Sequence, residues 1–134
     1  MSALSAFLHP AVVSEEKEVI ISQRFLDEKG KPVPFKVRSL TQKENNANVR
    51  AATHRKKVGN QWQDVLDSSE LSARTVVDGT VFPDFRSAEL CEAYGTKDPI
   101  QMPGKMLLAG EFLKLLNAIN ELCGFDDPDE EAKN

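Results

Sequence analysis

Few side chains in this sequence are suited to acid–base or nucleophilic chemistry at neutral pH. Histidine is the side chain whose ordinary pKa lies closest to neutrality, and the chain has two, His9 and His54. The two cysteines, Cys91 and Cys123, form no Cys-x-x-Cys pair and no cluster with either histidine. The spacing therefore predicts reduced thiols in a cytoplasmic protein rather than a zinc site or a cysteine nucleophile.

Acidic residues crowd the segment 126–134, which holds five carboxylates within its first six positions. A calcium loop would need a correctly spaced glycine and flanking helices, and both are missing here. We expect this segment to be a disordered acidic tail. The sequence also lacks a glycine-rich phosphate loop and a nucleophile elbow. It predicts no catalytic residue, no metal ion and no cofactor, so the protein is not expected to be an enzyme.

A basic patch lies in the middle of the chain and consists of Arg50, Arg55, Lys56 and Lys57. Such residues could contact phosphates, but the sequence places no aromatic stacking residues or recognition-helix pattern with them. Cations are also favourable at a helix C-terminus, and a helix is predicted from 42 to about 57. The net charge of −4 disfavours a nucleic-acid partner.

Alternating apolar and polar residues predict two strands near the start of the chain, at about 19–25 and 35–40. Between them, residues 27–31 have turn chemistry, with Gly30 free to adopt a positive φ. Together these segments predict one β-hairpin over 19–40.

The rest of the chain is predicted to be helical. Thr41 and Glu44 have the spacing of a capping box, and further helix signals follow up to a final helix that closes at Gly124. That helix carries a continuous apolar stripe: Phe112, Leu115, Leu116, Ile119 and Leu122. The predicted fold class is α+β, mainly α-helical, with one N-terminal β-hairpin followed by about five short-to-medium helices. We expect a flexible arm at 1–16, one compact domain at 17–125 and the tail at 126–134.

Several apolar residues are candidates for partner binding. Leu4, Phe7 and Leu8 share one helical face in the arm, which either docks on a surface or is a frayed terminus. Trp62 stands among polar residues and is either a packing anchor or an exposed contact. Phe112 and Leu116 are predicted to border an apolar groove beside the last helix.

Three short motifs follow one another in the second half of the chain. Residues 81–84 read Val-Phe-Pro-Asp, residues 88–90 read Ala-Glu-Leu ahead of Tyr94-Gly95, and residues 106–112 read Met-Leu-Leu-Ala-Gly-Glu-Phe. Their order resembles the phage tail assembly chaperones of the XkdN-like family, and so does the segment around the predicted hairpin. The resemblance covers about 17–125. The chain departs from it at Pro103-Gly104, where the family usually continues as a more regular helix.

The resemblance implies a non-catalytic chaperone that binds the phage tape measure protein and keeps it soluble during tail morphogenesis. It further implies recruitment of the tail tube protein, a frameshifted longer form of the chain, and a place in the bacterial host cytoplasm but not in the mature virion. Self-association is left open, no membrane partner is expected, and the gene would belong to a siphophage, myophage or prophage. The alternative is a small nucleic-acid-associated or regulatory protein that uses the basic helix end.

Overall fold

The computed structural model describes residues 3–11 and 16–125, and these form an α+β fold. The described strands are β1 (Glu16–Val19), β2 (Phe35–Arg38), β3 (Thr53–Val58), β4 (Gln61–Leu66) and β5 (Thr80–Phe82). The described helices are α1 (Leu4–Leu8), α2 (Gln42–Ala52), α3 (Ser68–Gly79), α4 (Ala88–Ala93), α5 (Met102–Met106) and α6 (Ala109–Leu122), with a 3-10 turn at Pro99–Gln101 before α5.

A three-stranded antiparallel sheet in the order β1-β2-β5 forms one side of the core. In the central strand β2, Phe35 and Val37 are buried while Lys36 and Arg38 are half-buried. This alternation follows from the two-residue repeat of a strand that has only one face against the core.

The prediction of a mainly helical chain with one β-hairpin is wrong, because the described residues hold five strands in two antiparallel sheets. The first strand covers Glu16–Val19 rather than 19–25, although an antiparallel strand pair does open the fold. Pro32 and Pro34 lack the N–H that a ladder needs, so pairing with β1 covers only Phe35–Arg38. The predicted turn does form, with Gly30 at a φ of 78°.

The predicted helix from 42 to about 57 is also too long. It ends at Ala52, and β3 and β4 then form a second hairpin that pairs Thr53 with Leu66 and Val58 with Gln61. Gly59 opens the two-residue turn at a φ of 64°, which suits a tight hairpin turn with glycine in its first position. The Thr41–Glu44 capping box is confirmed at the start of this helix.

The predicted apolar stripe of α6 lies against the core. Leu115 and Ile119 are fully buried, and the other three stripe residues are partly buried beside them. Ile119 packs directly on Gly79 at the end of α3, where a Cβ added to the glycine would lie 2.6 Å from Ile119 Cγ2. Further buried apolar residues come from the loop after β1, the central strand, the end of α2, α3, the segment from β5 to α4, and the segment before α6: Ile21, Phe35, Val37, Ala52, Val76, Val77, Phe85, Cys91, Met102, Met106 and Leu107.

Two predictions about the ends of the chain are not decided by this fold. Residues 126–134, predicted to be a disordered acidic tail, lie outside the described residues, as do residues 1–2 and 12–15 of the predicted arm. Within the described ranges, no helix is both long enough and apolar enough to cross a membrane.

Candidate partner-binding surfaces

The first candidate surface is α1, the short helix of the predicted arm. None of its residues is buried, and the Phe7 side chain is 81% exposed. Leu4 and Leu8 are exposed as well. The structure therefore brings the three predicted arm residues together on one exposed helical turn, while their role in partner binding stays a prediction.

The second candidate surface is a groove of about 680 Å³ between α3, the 3-10 turn, α5 and the start of α6. Small side chains of α3 form one wall: Ser69, Ser72 and Ala73. Ile100, Leu107 and Phe112 add apolar surface to the opposite side. Small residues let another helix approach closely, and apolar residues give it surface to bury.

Of the two predicted groove residues on α6, the structure places only Phe112 in the groove lining. Leu116 lies one turn further along and packs against the core. The α3 wall was missed, although Ser69, Ser72 and Ala73 follow the i, i+3, i+4 spacing of one helical face. That spacing of small residues was the signal in the sequence.

An ion pair fixes the start of α6 beside this groove. Arg24, from the loop after β1, donates through Nε to Glu111 Oε2 at 3.0 Å and also binds the second carboxylate oxygen through Nη2. Glu111 additionally accepts the backbone N–H of Leu108 at 2.8 Å, and Arg24 donates to the Met106 carbonyl. Hydrogen bonding to Arg24 is the main cause that lowers the pKa of Glu111 to about 2. The carboxylate is therefore ionised at neutral pH and ties α6 to the loop.

The third candidate surface is one face of the β3–β4 hairpin. Residues opposite each other in an antiparallel ladder point to the same side, so Lys57 shares a face with Trp62, and Arg55 shares it with Asp64. The Arg55 guanidinium lies 6.0 Å from the centre of the Trp62 ring. The interpretation of Trp62 as a packing anchor does not hold, because its side chain is 59% exposed.

The basic patch therefore lies mainly on a strand and not at a helix end. Arg55, Lys56 and Lys57 belong to β3, with Lys56 on the face opposite Trp62, while Arg50 lies in the last turn of α2. The sequence-based statement that no aromatic residue accompanies the patch is also corrected, since the hairpin turn brings Trp62 back beside it. Only strand pairing could reveal this neighbour.

His54 pairs with a carboxylate of α3. Its Nε2 lies 2.8 Å from Glu70 Oε1, and Arg74 binds the other oxygen of the same carboxylate. Hydrogen bonds from Arg74 and, second, from His54 lower the pKa of Glu70. This contact joins the base of the hairpin to the first turn of α3.

The thiols are likewise engaged in local contacts. Cys91 Sγ lies 3.3 Å from the Phe85 carbonyl, and Cys123 Sγ accepts the backbone N–H of Leu40 at 3.2 Å. In the part of the chain that the structure describes, no group of three or more histidine, cysteine, aspartate or glutamate residues is arranged to hold a metal ion.

The sequence profile of the phage XkdN-like tail assembly chaperone proteins matches residues 4–134. The chain belongs to the XkdN-like tail assembly chaperone family. Among its relatives in this family is the phage-like element PBSX protein XkdN of Bacillus subtilis (strain 168), which is 38% identical over 129 residues, covering 92% of this chain and 87% of that protein. YqbN of the same strain is 37% identical over the same shares of the two chains.

The fold of this XkdN-like chaperone is also found in a solved structure. A crystal structure of the protein YqbN superposes with a TM-score of 0.73 at 35% sequence identity. The match covers 90% of this chain and 96% of that chain. The resemblance stated from three short motifs is thus confirmed at the level of the family.

Proposed function

We propose that this tail assembly chaperone binds the phage tape measure protein and keeps it soluble during tail morphogenesis. The family match over residues 4–134 is the observation that carries the proposal. Tape measure proteins are long and helical, so an amphipathic helix laid into an apolar groove is the binding mode that suits them.

The groove between α3, α5 and α6 is the proposed seat of that helix. Its small α3 wall permits close approach, and Ile100, Leu107 and Phe112 supply apolar contacts. Exposed Phe7 and Leu8 of α1 would add a second apolar contact as a lid over the partner, or compete with it for the groove. Such binding should survive high salt, because screening weakens exposed charges much more than buried apolar contacts.

The wider roles fit the same proposal. One relative is by its name part of a phage-like element, which supports a phage or prophage source. A chaperone of this kind would act in the host cytoplasm and be absent from the mature virion. A tail tube protein and a frameshifted longer form of the chain are proposed as further partners. Self-association could use β5, which pairs only with β2 among the described strands and exposes Phe82.

Gly104→Arg tests the groove. Gly104 lines it, adopts no positive φ, and has nothing within 4 Å of an added side-chain carbon, so the arginine should fill the groove without disturbing the fold. Co-expression with the tape measure protein should yield soluble partner with the wild-type chain and much less with Gly104→Arg.

Gly110→Arg is the matched control for this substitution. Gly110 is also helical and open, but it does not line the groove. Equal partner solubility with both variants would remove the groove from the proposal. If the wild-type chain itself leaves the tape measure protein insoluble at low and at high salt, the proposed function is wrong.

A second candidate function rests on one observation, the position of Trp62 beside Arg55 and Lys57. An aromatic ring among cations is a platform on which a single-stranded nucleic acid can stack. Retention of the chain on single-stranded DNA that falls steeply with salt, and that Trp62→Ala abolishes, would favour this alternative.

A further inference from the structure

The β3–β4 hairpin carries an unusual charge for this chain. Its strands hold three cations, Arg55, Lys56 and Lys57, against one carboxylate, Asp64, whereas the whole chain has a net charge of −4. Among the described residues, neither these cations nor Arg50 takes part in a salt bridge. Arg55 and Lys57 lie on the same face of the hairpin as the exposed ring of Trp62, whereas Lys56 lies on the other face.

The strand register divides the side chains of the hairpin between two faces. The face that carries His54 turns toward α3 through the contact with Glu70. The opposite face carries two cations, Arg55 and Lys57, and one carboxylate, Asp64, together with exposed Trp62 and Leu66. We call this second face the Trp62 face.

We propose that the acidic segment 126–134 of the same chain binds the Trp62 face and Arg50 in the last turn of α2. The segment brings five carboxylates and one lysine to a surface whose cations form no salt bridge with any other described residue. Each carboxylate placed beside an exposed cation gains little alone, but several such pairs on one tethered segment act together. The bound segment covers Trp62.

The distances permit this contact within one chain. Phe125 lines a small hollow together with Thr41 and Asn45, at the start of α2. The helix advances about 1.5 Å per residue and the strand about 3.3 Å per residue. Along the backbone, Arg55 therefore lies within about 20 Å of Asn45, and Lys57, which pairs with Trp62, lies within about 27 Å. The six residues 126–131 extend to about 20 Å and all nine to about 30 Å.

Trp62 is the single tryptophan of the chain, so its fluorescence reports directly on the proposed contact. The test variant keeps the full chain and replaces the carboxylates of the segment by amides: Asp126→Asn, Asp127→Asn, Asp129→Asn, Glu130→Gln and Glu131→Gln. Acrylamide is an uncharged quencher and does not respond to the charge change itself. At low salt we expect the quenching constant of Trp62 to be about two-fold higher in this variant than in the wild-type chain, and the two to converge near 1 M salt, where screening acts within about 3 Å.

A matched control removes the same charge elsewhere. It carries Glu18→Gln, Glu28→Gln, Glu89→Gln, Glu92→Gln and Glu121→Gln, all at exposed positions outside the segment. In this variant, the quenching constant of Trp62 should equal that of the wild-type chain. In an Arg50→Glu, Lys57→Glu background, neutralising the segment should have a much smaller effect, because two of its three proposed cationic partners are replaced by carboxylates and Arg55 alone remains of the three.

Three results would overturn the proposal. The first is equal quenching of the wild-type chain and the segment variant at low salt. The second is the same increase in the control variant, which would indicate a general effect of net charge. The third is protection of Trp62 that grows with protein concentration, which would assign the contact to the segment of a second copy.

Discussion

Two glutamates hold separate parts of the fold together, and each is bound by an arginine from outside its own helix. Glu44 caps α2 through the Thr41 amide and accepts the Arg38 guanidinium at 2.8 Å. Glu111 does the same at the start of α6 with Leu108 and Arg24. These hydrogen bonds, led by the arginine in each case, lower the pKa of both carboxyls to about 2. The capping role of Glu44 could be predicted from its spacing, whereas neither arginine partner could.

Acid stability should depend on Glu111. Its folded pKa of about 2 lies below the ordinary value of 4.5, so its contribution to folding is present above pH 4.5 and is lost as the pH falls toward 2. Glu111→Gln should lower the urea midpoint at pH 7 and flatten the fall of that midpoint between pH 4.5 and 2. Urea unfolding at several pH values measures both.

The control is Glu121→Gln on the exposed side of the same helix, because Glu121 joins no salt bridge among the described residues. It should leave the midpoint and its pH dependence as in the wild-type chain. If the urea midpoint of Glu111→Gln falls between pH 4.5 and 2 as steeply as that of the wild-type chain, the ion pair does not contribute to folding.

Gly79 and Gly110 should respond in opposite directions to alanine. A side-chain carbon at Gly79 would approach three atoms of Ile119 within 2.9 Å, and overpacking of this kind costs about 1–3 kcal/mol. Gly110 lies in α6 with open space around it, so alanine there should stabilise by about 0.5–1 kcal/mol. Thermal melts of the two variants compare them directly, and a raised melting temperature for Gly79→Ala would contradict the described packing of α3 on α6.

At the scale of elements, the second hairpin is where the sequence-based prediction and the structure differ most. The capping box starts a helix at Gln42 and the next clear stop signal is Gly59-Asn60, so the sequence predicts helix through 53–57. Gly-Asn between two strands is also a hairpin signal, and β3 and β4 pair Lys57 with Trp62 across it. The same two residues thus close a hairpin instead of ending a helix.

Gly59→Val should open this hairpin without unfolding the domain. Gly59 has a φ of 64°, a conformation that costs a β-branched residue on the order of 1–3 kcal/mol. Amide hydrogen exchange should therefore speed up by about ten-fold or more within 53–66, while the amides of α3 and α6 keep their rates.

Gly95→Val is the matched control for the hairpin. Gly95 has a φ of 72° and, like Gly59, has open space around it, but it follows α4 and lies outside the hairpin. Its replacement should leave exchange in the hairpin unchanged. Faster exchange across the whole domain in Gly59→Val would mean that the hairpin is part of the cooperative core.

At the scale of the whole molecule, the apolar residues divide into two sets with different roles. Leu115 and Ile119 of the α6 stripe are inside the core. Phe7 and Leu8 of α1 are exposed and lie outside it. Exposed apolar residues are unfavourably hydrated in the monomer, and a partner that covers them removes this unfavourable free energy.

Phe7→Ser with Leu8→Ser should therefore separate stability from function. Because α1 buries none of its residues, the melting temperature should change by no more than about 2 °C, as for other surface substitutions. The amount of soluble tape measure protein in co-expression should fall. Leu26→Ser with Val58→Ser removes two exposed apolar side chains elsewhere and should leave that amount unchanged. Loss of thermal stability in the α1 variant would place this helix in the folded core instead.

The sequence by itself determined the features that rest on local chemistry. The Thr41–Glu44 box, the turn at Gly30 and the stripe of α6 depend on residues close together in the chain, and each is observed. The family could also be named from motifs, because their order along the chain is a property of the sequence.

Only the tertiary structure decided the features that depend on pairing between distant segments. β5 pairs with β2 in the first sheet, although α2, the second hairpin and α3 lie between these strands along the chain. The α3 wall and Phe112 line the same groove. Trp62 lies beside Arg55 because the hairpin turn brings the two strands together. A strand of three residues such as Thr80–Phe82 carries too brief a pattern to be predicted by itself. Its hydrogen bonds come from β2, which is distant along the chain. The candidate surfaces are built from contacts between such distant segments. For this reason, the sequence predicted some of their residues but none of their shapes.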